Sequence, residues 1–199
     1  MKKDCATLPP VTVATGPHPE VLREIASDGI DLAIWERDLD PALVREVAGL
    51  DLDSIDDLLL ACDAGDTDMQ LSTLQRDSGY PESPLLCADI AALAMRHTVL
   101  LGERRVRIRL EVVETDACSK FHADFVTLRT ITTYRGPGTQ WQRADDPGDQ
   151  TINEMRSGAV GLFKGRLLQP EPSVLHRSPP IADSGESRLV LVIDSIGSG

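Results

Sequence analysis

The sequence predicts an α+β fold in which a mainly helical region, residues 1–101, packs on a sheet-rich region, residues 102–199. In the first region apolar residues recur every three or four positions, as on one face of a helix, whereas in the second they alternate with polar residues, as in half-buried strands. The charge pattern changes at the same place. Residues 1–100 hold 19 acidic and 7 basic residues, and residues 101–199 hold 13 of each. At 199 residues, 41% of them hydrophobic, the chain is long enough for a single compact unit.

Two helices of the first region have the same kind of start signal. Asp40-Pro41 and Ser83-Pro84 each place a capping residue before a proline at the first helical position. The second predicts the longest helix of the chain, over residues 85–101. A further helical pattern covers residues 51–62, and residues 31–35 predict a strand.

The second region predicts several short strands separated by turns rich in glycine and proline, which is typical of an antiparallel sandwich or barrel. The predicted strands cover residues 106–112, 121–134, 159–163, 174–176 and 188–194. Gly136-Pro137-Gly138 predicts a type II turn in which Gly138 has a positive φ.

Composition limits the classes of partner. The net charge of −12 disfavours nucleic acid and anionic membranes, and no apolar stretch reaches the roughly 20 residues that span a bilayer. Four scattered cysteines without a CxxC pair fit a reducing compartment, and the N-terminus has no apolar signal segment. We therefore expect a cytoplasmic protein with a small-molecule or peptide substrate, with no nucleic-acid or membrane partner. The acidic first region makes a basic peptide easier to accept than an anionic substrate.

Three polar side chains of the second region predict a metal site. His122 and Asp124 are two residues apart in a predicted strand, so they would emerge from the same face. His176 lies in a later predicted strand, and two histidines with one carboxylate form the facial triad that holds Fe(II) with open positions. Arg188 begins the next strand, where its guanidinium could bind a carboxylate through two parallel hydrogen bonds. The structural alternatives are a surface ion pair for His122 with Asp124 and a turn position for His176.

This order of residues resembles the Fe(II)/2-oxoglutarate-dependent oxygenases, over residues 118–194. The resemblance implies a double-stranded β-helix, a jelly-roll of the cupin kind, in the C-terminal half. It also implies that His122, Asp124 and His176 are metal ligands and that Arg188 anchors the distal carboxylate of 2-oxoglutarate. Proteins of this class often pair, so a homodimer is compatible with the resemblance.

Two further residues are candidates for binding 2-oxoglutarate. Tyr134 has the same strand parity as His122 and would face inward if no bulge intervenes, so its hydroxyl could donate to the same carboxylate. Lys164 also lies on a predicted strand and is a rival anchor to Arg188. Val190 stands where some of these oxygenases have a serine two residues after the arginine, so the residues leave the co-substrate less defined than the metal.

Nearly the whole chain is similar to a bacterial family often encoded near CobW-type metallochaperone GTPases. Segments that carry the similarity include Cys118-Ser-Lys-Phe-His-Ala-Asp124 and His176-Arg-Ser-Pro-Pro180. This second resemblance implies no established activity.

Three hypotheses follow. The leading one is a mononuclear non-haem Fe(II) oxygenase, 2-oxoglutarate-dependent, that oxidises an unidentified substrate. The alternative is a non-catalytic zinc-binding protein of metal homeostasis, in which Cys118, four residues before His122, adds a thiolate. The third is a cupin-like binder of small molecules that holds no metal.

Overall fold

The computed structural model describes residues 12–78, 80–182 and 184–196, which form two β-sheets and three α-helices. The strands are β1 (Val13–Gly16), β2 (Leu32–Trp35), β3 (Leu58–Asp63), β4 (Arg105–Val113), β5 (Leu128–Arg135), β6 (Gln140–Arg143), β7 (Asn153–Glu154), β8 (Val160–Lys164), β9 (Val174–Arg177) and β10 (Arg188–Ser195). The α-helices are α1 (Pro41–Ala48), α2 (Thr67–Asp77) and α3 (Pro84–Leu101). Short 3₁₀ helices cover Pro19–Ala26, Leu52–Ser54, Ala64–Asp66 and Asp149–Thr151.

The larger sheet has seven strands in the order β1-β2-β8-β5-β10-β4-β3, and the smaller has three in the order β7-β6-β9. The pairings are antiparallel except that of β1 with β2. The molecule is therefore a mixed α/β fold built around a large, mostly antiparallel sheet with few helices.

The predicted starts of α1 and α3 at Pro41 and Pro84 are confirmed, but Ser83 does not cap α3, because its Oγ donates to the Pro81 carbonyl. Asp40 caps α1, because its carboxylate accepts a hydrogen bond of 2.6 Å from the backbone N–H of Ala42. Helix α3 begins at Pro84 and is terminated after Leu101 by Gly102, whose φ of +67° is the left-handed conformation that glycine adopts most easily. By length and a mean hydropathy of 1.4, α3 could cross a membrane, but here its buried residues pack against the larger sheet and α1 as in the core helix of a globular domain.

The first region contains α1, α2 and α3, and it also contributes β1, β2 and β3 to the larger sheet, of which the sequence predicted only β2. The predicted helix over residues 51–62 is wrong. The second half of this segment is β3, which pairs with β4 at the edge of the sheet. Neighbouring side chains of β3 point to opposite faces, since Leu58 is buried whereas Leu59 is 64% exposed. Five consecutive apolar residues at 58–62 have no clear period, so the sequence could not separate a strand from a helix there.

The larger sheet has two faces with different neighbours. The helix face packs on the helices and includes Leu189, Leu191 and Ile193 of β10. The cleft face, which includes Val190 and Val192 of β10, lines a cleft together with residues of the smaller sheet. Because successive side chains of a strand point to opposite faces, this alternation decides which residues can reach the cleft.

Candidate metal centre

The three predicted metal ligands meet at one end of the cleft. One donor atom from each of His122, Asp124 and His176 lies within 4.8 Å of the others. The backbones of the two histidines form an isolated antiparallel bridge, in which each N–H donates to the other's carbonyl at 3.0 and 2.9 Å. The residues after His122 leave this bridge at once, so Asp124 approaches from an irregular segment instead of the regular strand that the sequence predicted.

The ring of His122 is held in the tautomer that a metal ligand needs. Its Nδ1 lies 2.8 Å from the carbonyl oxygen of Lys120, and a carbonyl can only accept a hydrogen bond. Nδ1 therefore carries the proton, which leaves the lone pair of Nε2 free on the neutral ring. Interaction with Asp124 raises the pKa of His122, and partial burial opposes that effect.

Asp124 supplies a carboxylate oxygen that accepts no hydrogen bond from the part of the chain that the structure describes. Its Oδ1 pairs with the guanidinium of Arg129, whereas its buried Oδ2 lies 2.9 Å from His176 Nε2 without forming a hydrogen bond. Burial alone would raise the pKa of Asp124, but the two imidazoles and Arg129 outweigh it and hold that pKa well below its usual range. An ionised, buried oxygen without a partner is costly, and a cation between it and the imidazoles would remove that cost. Two imidazoles and one carboxylate fit Fe(II) and also suit zinc.

His176 is buried against an aromatic ring. The centroids of its imidazole and the Phe163 ring are 4.6 Å apart. Burial lowers the pKa of His176, which favours the neutral ring that binds metals. Cys118 is exposed and lines the same cleft, but it does not belong to the cluster of three donor atoms.

Arg129 and Asp194 form a second layer that the sequence analysis did not single out. Arg129 donates from Nε and Nη2 to both oxygens of Asp194 at 2.7 Å, while its Nη1 pairs with Asp124. The two residues face each other across β5 and β10, and both side chains are largely buried. A sequence signal existed, because Arg129 and Asp194 are charged residues within predicted strands and have the strand parity of residues on the cleft face.

Arg188 lies on the cleft face, only 1% exposed. Its guanidinium donates to the Pro137 carbonyl at 2.7 Å, to Ser178 Oγ at 2.9 Å, and to Thr133 and Thr139 Oγ1 at 3.2 and 3.4 Å. All four partners are neutral, and within residues 12–78, 80–182 and 184–196 no carboxylate forms an ion pair with it. Burial lowers the pKa of Arg188 to about 10, with Glu154 partly opposing that shift.

The Gly-Pro-Gly turn holds the Pro137 carbonyl against Arg188. Gly136, and not Gly138 as predicted, has the positive φ, at +86°. A Cβ on Gly136 would lie 2.7 Å from the Ser187 carbonyl oxygen, so the close approach of the turn to β10 requires glycine there.

The predictions that Tyr134 and Lys164 reach the co-substrate are wrong, because both side chains lie away from the cleft. Strand β5 starts only at Leu128, so the parity counted from His122 does not hold, and the Tyr134 hydroxyl donates to Asp89 of α3 at 2.6 Å. Lys164 Nζ lies 3.9 Å from Asp31 and donates to the carbonyl of Ser27.

The cleft has a volume of about 520 Å³ and runs from the three ligands along the cleft face. Thr139 and Ser178 line it, and the guanidinium of Arg188 lies directly behind their hydroxyls. The cleft therefore combines a candidate metal-binding triad with a buried positive charge.

Comparison with solved structures identifies the class of fold. The chain is similar to dioxygenase for auxin oxidation 1 from Arabidopsis thaliana, solved as a binary complex with 2-oxoglutarate, at 10% identity and a TM-score of 0.59, covering 94% of this chain and 92% of that one. It is also similar to a prolyl-4-hydroxylase from Pseudomonas putida at 17% identity, with 90% and 98% covered and a TM-score of 0.48. The first of these likenesses supports a fold similar to the jelly-roll of 2-oxoglutarate oxygenases.

The family follows from a sequence comparison. Residues 16–194 match the model of the family described as protein of unknown function DUF1826, and the chain belongs to that family. No curated protein matches the sequence. A gene neighbourhood beside CobW-type GTPases stays a prediction.

Proposed function

We propose that the protein is a mononuclear non-haem Fe(II) oxygenase that uses 2-oxoglutarate to oxidise an organic substrate. One observation carries this proposal: a buried, ionised Asp124 oxygen without a hydrogen bond lies beside two imidazoles, in a cleft backed by a buried arginine without an acidic partner. Either feature alone fits many proteins. Together they fit a divalent cation and a dicarboxylate that lie side by side.

The triad residues would hold Fe(II) through His122 Nε2, Asp124 Oδ2 and a nitrogen of His176. Fe(II) bound there supplies activation of O₂ coupled to the oxidative decarboxylation of 2-oxoglutarate. Arg129 occupies Oδ1 of Asp124, which leaves one oxygen as a single-atom ligand. The carbonyl of Lys120 fixes the tautomer of His122 in the same way that outer partners orient metal-bound histidines elsewhere.

Arg188 would bind the distal carboxylate of 2-oxoglutarate together with two hydroxyls. A hydroxyl accepts and donates, so Ser178 and Thr139 can accept from Arg188 and still donate their own protons to a carboxylate in the cleft. The positive charge behind them then balances the anion in a largely buried setting.

An anaerobic titration with Fe(II) and then 2-oxoglutarate tests the proposal. We expect a weak visible charge-transfer band and, on admission of O₂, formation of succinate. His122→Ala should abolish both, whereas His97→Gln, which alters a buried histidine in contact with Thr130 and Ser195, should leave both in place. Absence of the band together with absence of succinate in the unaltered protein would refute the proposal.

The zinc-binding alternative is kept because Cys118 lines the same cleft. Metal analysis of the purified protein tests this alternative. If the protein contains one equivalent of zinc, if Cys118→Ser loses that zinc and if 2-oxoglutarate does not change the zinc content, the protein is a zinc-binding protein and the oxygenase proposal fails. A metal content that His122→Ala does not change would instead favour the metal-free binder.

A further inference from the structure

The cleft is rich in arginine although the protein is acidic. Its lining includes four arginines and three acidic residues, in a chain whose net charge is −12. These are Arg107, Arg109, Arg129, Arg177, Glu111, Asp124 and Asp194. The local charge therefore differs in sign from that of the whole molecule.

The three acidic residues of the lining are already paired with two of these arginines. Arg129 binds Asp124 and Asp194, and Arg109 lies 2.8 Å from Glu111 and 3.7 Å from Asp194. The pairing leaves the other two arginines without an acidic partner in the described part of the chain.

Those two arginines are Arg107 and Arg177. Arg177 donates to the neutral oxygens of Gln140 and Ser119, and its guanidinium lies 4.4 Å from the centroid of the Phe121 ring. Arg107 forms no hydrogen bond or ion pair with any described residue, so its guanidinium is free to bind an anion.

Apolar side chains line the cleft beside these cations. They are Leu59, Val113, Val126, Ile131, Val190 and Val192. Leu59 and Arg109 are register partners across β3 and β4, and Arg107 lies two residues along β4, so all three project from the same face of the sheet.

The position of Arg107 relative to the triad follows from the sheet register. Asp194 of β10 pairs with Arg107 on one side and with Arg129 on the other. Two strand spacings, roughly 10 Å, therefore separate the backbone of Arg107 from that of Arg129, which contacts the metal-binding Asp124. A ligand of that length could contact Arg107 and the triad together.

We infer that the substrate of this site is an apolar organic acid, whose carboxylate binds Arg107 while its hydrocarbon body lies along the cleft toward the triad. This inference rests on the proposed function. The lining of the cleft, and not the acidic surface of the first region, selects the substrate, and it favours an anion over the basic peptide that the overall charge suggested. Arg177 adds positive potential at the other wall of the cleft.

The test compares hexanoate, decanoate and 4-phenylbutyrate with their primary amides, which keep the shape and lack the charge. Binding to the purified protein is measured by ligand-observed NMR, with and without saturating 2-oxoglutarate. We expect at least one acid to bind about tenfold more tightly than its amide, the size of effect that one guanidinium–carboxylate contact gives. Arg107→Gln should remove that preference.

Arg105→Gln is the matched control, because Arg105 lies on the same strand, pairs with Asp63 at 3.8 Å and does not line the cleft. Acids that bind no better than their amides would overturn the inference, as would a preference that survives in Arg107→Gln. Displacement of the acid by 2-oxoglutarate would place it at the co-substrate position and would overturn the inference as well.

The Fe(II) titration separates this outcome from that of the proposed function. A normal charge-transfer band with no preference for acids refutes only the substrate class. A preference for acids in a protein that gives neither the band nor succinate refutes the oxygenase and leaves the anion site.

Discussion

Both faces of the larger sheet contain buried charged side chains, but the two faces differ in how far these charges are paired with opposite charges. On the helix face, Arg37 binds both oxygens of Asp89 at 2.6 and 2.8 Å, and Tyr134 donates to the same carboxylate. On the cleft face, among the described residues, Arg188 has neutral hydrogen-bond partners only and Asp124 Oδ2 has no hydrogen bond. Buried charges are usually paired, so the incomplete pairs support the proposal that ligands bind at the cleft face.

The cleft face also contains charges that are paired, among them buried Arg129. It differs from Arg188 in having two carboxylates within reach instead of four neutral oxygens. This contrast predicts that Arg129 serves stability and positioning, whereas Arg188 serves binding.

Arg129→Met should give the largest loss of stability. The change removes the guanidinium from buried Asp124 and leaves buried Asp194 with only the more distant Arg109, at 3.7 Å, and removal of one partner of a buried pair costs about 3–5 kcal/mol. Urea denaturation at pH 7 measures the free energy of unfolding. Arg135→Met is the control and should cost less than about 1 kcal/mol, because Arg135 lies on the same strand but is exposed and donates to a neutral group, the Leu50 carbonyl. Equal losses in the two variants would contradict the contrast.

His97 on the helix face should make the protein sensitive to acid. Burial lowers the pKa of His97 to about 4, with Asp194 partly opposing, whereas in the unfolded chain it is about 6.5. Between these values the unfolded state binds more protons, so stability falls as the pH drops from about 6.5 to 4, by on the order of 3 kcal/mol. The free energy of unfolding, followed over this range, should fall less in His97→Gln. Identical pH profiles would show that His97 is not buried in its neutral form.

Arg188→Met should act mainly on binding. We expect the dissociation constant of 2-oxoglutarate to rise about 100-fold, or ~2.7 kcal/mol, because the anion loses its balancing charge. The free energy of unfolding should change by less than in Arg129→Met, because no carboxylate is left unpaired. Calorimetric titration of the metal-loaded protein measures the affinity, and an unchanged value would remove Arg188 from the site.

Tyr134→Phe should have the smallest effect. The hydroxyl donates to Asp89 on the helix face, and loss of a hydrogen bond to a charged group costs about 1.5 kcal/mol. The affinity for 2-oxoglutarate should not change, in contrast to Arg188→Met. A weaker affinity in Tyr134→Phe would restore the discarded role of Tyr134 as an anchor.

The sequence predicted the elements that have their own local signals. The pairs Asp40-Pro41 and Ser83-Pro84 marked the starts of α1 and α3, although only Asp40 forms a side-chain cap, and strict alternation marked β4. It failed at β3, where a short apolar run has no period, and at residues 121–127, where the chain leaves the strand after a single bridge. Both failures depend on pairing with distant strands, which local patterns do not encode.

The same limit explains which residues of the candidate site could be predicted from the sequence and which could not. The His122, Asp124 and His176 pattern was recognisable because the spacing of the first two and the residue types were informative alone. The direction of the Tyr134 side chain could not be predicted by counting from His122, since an irregular segment separates the two residues. The pairing of Arg129 with Asp194 depends on the register of β5 and β10, which only the folded chain defines.

The reciprocal backbone bridge between His122 and His176 has a consequence for how an ion would enter and leave. Because two hydrogen bonds already fix the separation of these residues, capture of a cation needs little ordering of the chain. Loading should therefore be rapid and reversible, and a chelator such as EDTA should strip the ion while the circular dichroism spectrum of the sheet stays the same.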